Sequence, residues 1–270
     1  MQTVSLKSGD QMPVLGLGTW QLTGQECINA IPVAVEIGYR HIDTADAYKN
    51  HKDVAQGLKK AGIAREKLFI TSKLFLRDME PENVLKTGPR MLSELGIDYL
   101  DLLLIHWPLK EVPFEETLGA MAELQKKDLI KNIGVSNFTI KHLKEVEANS
   151  NVEITNNQIE CHPYIYQEEL INYCQERDII ITAYSPLARG DIFEDADIKK
   201  MSDKYDYSPA CLVLKWLVDK GLVVIPKASS REHIKDNFKI LEIELPAEVR
   251  EMLDKKHENR RLVEPGFADF

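Results

Sequence analysis

Eight short runs rich in apolar and β-branched residues recur along the chain, separated by segments of helical character. They are VLGLG (14–18), YRHID (39–43), LFITSK (68–73), YLDLLLIHW (99–107), KNIGVSN (131–137), TNNQIE (155–160), IIITAYSP (179–186) and LVVIPKA (222–228). Their starts lie about 25 to 40 residues apart, the room that a strand, a helix and two loops require, which is the mark of parallel βαβ units. Eight units in 270 residues describe an α/β fold, the (β/α)8 TIM barrel, as a single domain over 1–270. The competing architecture is a doubly wound open sheet. Against it, GLGTW (16–20) lacks the third glycine of a dinucleotide fingerprint and no full strand precedes it.

Between the runs, CINAIPVAVEIG, PENVLKTGPRMLSELG, FEETLGAMAELQKK, IKHLKEVEA, EELINYCQER and SPACLVLKWLVDKG repeat apolar residues at three-and-four spacing. Ser208 before Pro209 reads as a helix start, and Gly96 and Gly221 read as helix ends. Pro32 and Pro89 weaken the helical pattern where they fall. Ahead of the first barrel strand, TVSLKSGDQMPVLGLG with Ser8-Gly9-Asp10 as its turn predicts a β-hairpin placed to plug the barrel bottom. After the last strand, SREHIKDNFKIL and PAEVREMLDKKH predict extra C-terminal helices, and ENRRLVEPGFADF shows no periodicity.

A net charge of -9 lacks the basic face that a nucleic acid or an anionic membrane would demand. An anionic ligand would need a local basic pocket. The N-terminal residues carry no cationic segment followed by an apolar stretch, and no apolar run is long enough to span a membrane. These features predict a cytoplasmic protein; a monomeric state and a small-molecule partner are separate expectations that charge and the N-terminus do not fix. Cys27, Cys161, Cys174 and Cys211 form no C-x-x-C pair, so they read as reduced thiols packed as small hydrophobes, with no structural metal site.

Chemistry in such a barrel sits where strands end. Asp43 ends YRHID, Lys73 ends LFITSK and His106 follows LLLI, while Tyr48 lies in the loop after Asp43. Singly, each has an ordinary structural reading as a turn residue, a solvated cation or a satisfied core histidine. Together they form a set. A lysine ammonium beside a tyrosine favours phenolate and moves its pKa down from about 10. Asp43 would keep Lys73 protonated, Tyr48 would act as general acid, and His106 would donate a second hydrogen bond to a carbonyl oxygen. A protonated carbonyl still needs two electrons that no side chain supplies, so a hydride cofactor is implied.

At these residues the sequence resembles the aldo-keto reductase family over essentially its whole length. GLGTW, GYRHIDTADAY, TSKL, DYLDLLLIHWP, IKNIGVSNF, NNQIECHPY, AYSPLARG and IPKASS match its signature segments in order, and the short loops look most like the bacterial 2,5-diketo-gluconate reductase branch, B type. The resemblance implies Tyr48 as proton donor, Asp43 and Lys73 as its partners, and His106 as the residue orienting the carbonyl. It implies Ser136, Asn137 and Gln158 on a nicotinamide carboxamide with Tyr184 stacked on the ring. Ser185, Leu187 and Arg189 would sit by the pyrophosphate and ribose. Gly18, Thr19, Trp20, Ile225, Lys227, Ala228, Ser229, Ser230, His233 and Asn237 would complete the cofactor groove. Trp20, Phe75 and Trp107 would wall the substrate pocket, with Tyr48 and His106 at its reacting end. The implied reaction is NAD(P)H-dependent reduction of small aldehydes, α-dicarbonyls and keto-sugars.

Two departures from the family pattern stand out. Ala228 and His233 occupy places where the pattern has Ser and Arg, which removes a hydroxyl and a permanent cation. NADPH is therefore expected, with NADH also accepted and discrimination weaker than usual. Ser229 with Glu232 reads as a capping box, and the helix start beside Lys227 reads as an anion site. His51 stands where an acidic residue usually follows Asn50, and reads as a changed helix cap. The loops LKEVPF and ARGDIFED are short, so the cleft walls are low, and tail residues such as Phe267 are open to two readings, folded over the mouth or disordered. Two other readings compete: a nucleotide-binding barrel that serves as redox sensor or structural subunit, and a hydrolase using Cys161 and His162 as a dyad. The intact Asp43, Tyr48, Lys73 and His106 set argues against the first, and the opposite facing of adjacent strand residues argues against the second.

Overall fold

The computed structural model describes residues 1–109 and 111–268, so Lys110 of the LKEVPF loop and Asp269 and Phe270 at the end of the chain lie outside it. Two short strands, β1 (Thr3–Ser5) and β2 (Gln11–Pro13), pair antiparallel. Eight strands then form one parallel sheet: β3 (Leu17–Gly18), β4 (His41–Asp43), β5 (Phe69–Leu74), β6 (Leu100–Ile105), β7 (Ile130–Ser136), β8 (Asn156–Glu160), β9 (Ile180–Tyr184) and β10 (Val223–Val224). Each strand pairs with the next in sequence. The sheet closes on itself, because Gly16 N donates to Val224 O at 2.9 Å and Gly18 N donates to Pro226 O at 3.1 Å. Gly18 is required at this seam. A Cβ there would lie 2.5 Å from the carbonyl oxygen of Ile225.

The interior follows from strand alternation. Leu102 and Leu104 of β6 meet Phe69 of β5 and Val223 of β10 in a small cluster that also contains Leu6 and Met12 of the hairpin. The hairpin is thus the plug that the sequence suggests, and Asn132 Nδ2 on β7 fixes it by donating to Asp10 Oδ2 at 2.7 Å. Leu103 and Ile105, the intervening residues of β6, pack outward into the main core beneath the helices.

Helices α1 (Gly24–Ile37), α2 (His51–Ala61), α3 (Pro81–Leu95), α4 (Phe114–Lys126), α5 (Ile140–Asn149), α6 (Glu168–Gln175), α7 (Ala196–Tyr205) and α8 (Pro209–Asp219) surround the barrel, and α9 (Arg231–Phe238) and α10 (Ala247–Asp254) follow β10. Pro32 and Pro89 do not break α1 and α3. The buried faces of both helices, Cys27 to Val35 in one and Val84 to Leu95 in the other, outweigh one missing hydrogen bond each. Ser208 caps α8 by accepting from Cys211 N at 3.0 Å, and Gly96 ends α3 at φ 63°. No helix of the described residues is long and apolar enough to cross a membrane.

Candidate active site

Register brings the strand-end residues onto one rim. Asp43 pairs with Thr71 across β4 and β5, so Lys73, two residues on, shares the inward face one step nearer the mouth. Lys73 pairs with Leu104, which places His106 a further step on the same face. Tyr48 closes a 3-10 turn, Asp46–Tyr48, in the loop after β4.

Lys73 is fully buried and its three donors are all engaged. Nζ donates to Asp43 Oδ1 at 2.5 Å, to the Thr44 carbonyl at 2.9 Å and to Tyr48 Oη at 3.4 Å. The second oxygen of Asp43 accepts from Gln158 Nε2 at 2.7 Å. Burial opposes the charge on Lys73, but Asp43 and Tyr48 outweigh it and hold the ammonium above its ordinary value. Tyr48 corrects the expectation drawn from sequence. Burial raises its pKa, and the attraction of Lys73 offsets only part of that rise. The hydroxyl therefore remains a phenol at neutral pH. His106 is pushed down to about 3 by burial and by Lys73, so its ring is neutral and carries one N–H. Tyr48 and Phe75 both meet that ring edge-on, at 5.9 Å and 6.2 Å between centroids.

Asp43, Tyr48 and His106 form the floor of a cleft of about 930 Å³ that runs from His106 to Lys227. Gly18, Trp20, Ser136, Asn137, Gln158, Tyr184, Ser185, Leu187, Arg189 and Ile225 line it. The polar wall residues are bonded to one another. Tyr184 Oη donates to Asn137 Oδ1 at 2.7 Å, Asn137 Nδ2 to the His106 carbonyl at 3.0 Å, and Ser136 Oγ to the Gln158 carbonyl at 2.8 Å. Ser185, Ala188 and Arg189 all take left-handed backbone angles, which turn the loop after β9 sharply and set the Arg189 guanidinium 4.9 Å from the Trp20 ring centroid.

Other expected positions fall outside the cleft wall. Phe75 backs His106 and does not line the pocket, since the chain turns away after β5. Thr19 is buried, its hydroxyl donating to the Asp43 carbonyl at 3.0 Å. Ala228 and Asn237 are buried beyond the end of the groove, while Ser229, Ser230 and His233 surround the start of α9. The predicted capping box is not formed: Ser230, not Ser229, caps α9 by accepting from His233 N at 3.1 Å. Ser229 and Lys227 instead hold the Glu26 carboxyl below its usual range, with Lys227 Nζ 3.6 Å away. Arg231 forks onto Glu36. His51 is not a cap; it is buried, bonded through Nε2 to Ser72 Oγ at 3.0 Å and through Nδ1 to Glu94 at 3.2 Å.

The Cys161 and His162 dyad is excluded by environment. Burial raises the Cys161 thiol far above its ordinary value, and His162 Nε2 bonds instead to Glu160 Oε1 at 3.0 Å. All four cysteines are buried free thiols. The sequence also left unassigned part of the wall: Gln21, Phe193 and, in the tail segment where it singles out only Phe267, Leu262, Val263, Glu264 and Pro265. Phe267 meets Trp107 edge-on at 5.6 Å, so the segment does fold over the mouth.

Comparison with known proteins gives a consistent result. A model of the aldo/keto reductase family matches residues 14–258. The chain is 41% identical over 263 residues to methylglyoxal reductase DkgA of Escherichia coli (strain K12), covering 96% of this chain and 94% of that one. It is 38% identical over 261 residues to glyoxal reductase of Bacillus subtilis (strain 168), again covering 96% and 94%. Among solved structures, an aldo-keto reductase of Bombyx mori in complex with NADP superposes with a TM-score of 0.91 at 30% identity, covering 97% of this chain and 95% of that one.

Proposed function

This chain belongs to the aldo/keto reductase family, and from that premise we propose that it reduces small aldehydes, α-dicarbonyls and keto-sugars, Tyr48 supplying the proton. NADPH, when bound, supplies hydride to the carbonyl carbon. Everything else in the step falls to the side chains at the cleft floor.

The observation that carries this reading is the bonding of Lys73 to both Asp43 and Tyr48 beneath an open cleft. A fully buried lysine is costly unless its charge is used or paired. Here it is paired on one side by Asp43, and its other side faces the tyrosine hydroxyl. As hydride adds, the carbonyl oxygen becomes strongly basic and takes the proton of Tyr48. Lys73 then lies against the phenolate left behind, where its charge is worth most, so it stabilises the product of proton transfer more than the starting phenol. His106, neutral, directs its single N–H at the same oxygen. Trp20, Trp107 and Phe267 line the same cleft and would limit water around a bound substrate.

The residues fit the nucleotide. The Asn137, Gln158 and Tyr184 wall would face a nicotinamide, and Arg189 with the loop after β9 would meet the pyrophosphate. At the far end Lys227 and Arg231 supply charge for a 2'-phosphate, but both lie against carboxylates, Glu26 and Glu36. That pairing, with Ala228 and His233 in place of a hydroxyl and a guanidinium, supports use of NADH beside NADPH. The test is oxidation of each reduced nucleotide against methylglyoxal, phenylglyoxal, nitrobenzaldehyde, simple sugars and diketo-gluconate. Turnover of the dicarbonyls with NADPH is expected, and absence of turnover across the panel overturns the reading.

A further inference from the structure

β8 ends on Glu160, a carboxylate with no exposed surface and no contact with Tyr48, Lys73 or His106 among its hydrogen bonds. Its oxygens are occupied from far along the chain. Oε1 accepts the backbone N–H of Leu262 at 2.7 Å as well as His162 Nε2 at 3.0 Å, and Oε2 accepts the N–H of Val263 at 3.1 Å. Arg261 Nη1 stands 3.8 Å from Oε2, and Arg261 Nη2 donates to Gln167 Oε1 at 3.3 Å. Burial opposes the negative charge, but the bonds from His162 and from the two backbone N–H groups outweigh it and keep the carboxyl below its usual range.

The same segment is tied at its start. His257 Nδ1 accepts from Tyr166 N at 3.0 Å, and the N–H groups of Glu258 and Arg260 both reach the Tyr164 carbonyl, at 3.1 Å and 3.0 Å. Past Val263, the described residues show no further side-chain hydrogen bond to the barrel, and the segment turns over the cleft to set Phe267 against Trp107. Among the described residues Glu160 is therefore the last side-chain hydrogen-bond acceptor that holds the segment before it reaches Phe267.

We infer that Glu160 is a positioning residue: its carboxylate fastens the 257–268 segment across the cleft and thereby sets selectivity for carbonyl substrates that carry a bulky apolar group. The inference rests on the carbonyl-reductase reading above. A methylglyoxal-sized substrate occupies the floor alone, whereas a phenyl group extends to the Trp107 and Phe267 wall.

The test uses Glu160→Gln in the full chain. Glutamine keeps the shape but offers one acceptor oxygen and turns an amide NH2 toward a second donor. In hydrogen exchange read by mass spectrometry, peptides covering 257–268 exchange faster while those of the barrel strands do not change. KM for phenylglyoxal rises about fivefold to tenfold, the worth of one aromatic edge contact. KM for methylglyoxal and the dissociation constant for NADP+ by fluorescence titration stay as they were. Val263→Pro, which deletes one donor and leaves the barrel sequence intact, gives the same exchange pattern should the first variant fold poorly. Phe267→Ala raises the phenylglyoxal KM with the exchange of 257–263 unchanged, and adds nothing further to Glu160→Gln. Unchanged exchange in both fastening variants, or equal KM shifts for the two aldehydes, overturns the inference. Failure of the unaltered enzyme on both aldehydes overturns instead the carbonyl-reductase reading, while the exchange measurement still reports the fastening.

Discussion

Gln158 Nε2 donates to Asp43 Oδ2 at 2.7 Å, joining β8 to β4 across the barrel interior. Asp43 is thereby held from both sides, by Lys73 at one oxygen and Gln158 at the other. Gln158→Ala leaves a buried carboxylate oxygen without its partner, which costs about 1–3 kcal/mol. Urea denaturation should show that loss, and kcat should fall with it as Asp43 gains freedom to turn away from Lys73.

Lys73→Met removes the cation from a buried carboxylate. The uncompensated charge destabilises the fold by about 3–5 kcal/mol. Pairing it with Asp43→Asn removes the stranded charge, so the double variant should recover much of the stability lost by Lys73→Met. Activity should not return in step, because Tyr48 would still lack the ammonium beside it. Urea midpoints and kcat for the two single variants and the double one test both halves.

Acid should destabilise this fold above the range where carboxylates titrate. Burial lowers His41 to about 4 and His106 to about 3, both from an ordinary 6.5. The unfolded chain then binds more protons than the folded one between 6.5 and those values. Stability is full above pH 6.5 and is lost as pH falls, by up to about 1.4 kcal/mol per unit for each ring. Unfolding free energies at pH 7, 6 and 5 should decline in that sense, and His106→Asn should flatten the decline. A curve flat across that window contradicts neutral burial of these rings.

Nucleotide choice should respond to single charges at the start of α9. The ratio of kcat/KM for NADPH over NADH should lie below about a thousandfold, equivalent to about 4 kcal/mol. His233→Arg restores a permanent cation and should raise that ratio about tenfold. Titration of protein fluorescence with NADP+ and NAD+ should give the same shift in binding.

Much of this was legible in the sequence, for a physical reason in each case. The barrel came from alternation of short apolar runs and helices, and LLLIHWP divides as strand alternation requires, with Leu102 and Leu104 inward and His106 at the mouth. The hairpin plug was readable because Leu6 and Met12 are apolar on either side of a turn. Helices α2 and α7 leave little apolar pattern in the sequence because HKDVAQGLKKA and ADIKKMSDKY carry few apolar residues; each is held by a narrow buried stripe. The rise in the pKa of Tyr48 depends on how deeply its hydroxyl is buried, which spacing does not encode. The 257–268 segment was opaque because backbone N–H groups bind it to Glu160 and Tyr164, and such donors leave no mark on residue type. His51 read as a changed cap because its partners, Ser72 and Glu94, come from other elements.

The central claim is that Tyr48 delivers the proton, and Tyr48→Phe tests it with the loss of one oxygen atom. Single-turnover and steady-state rates with NADPH and methylglyoxal should fall by about a hundredfold to ten-thousandfold, the range set by loss of a general acid. NADP+ should bind the variant as tightly as the unaltered enzyme in a fluorescence titration. A Tyr48→Phe enzyme that keeps its full kcat contradicts the account.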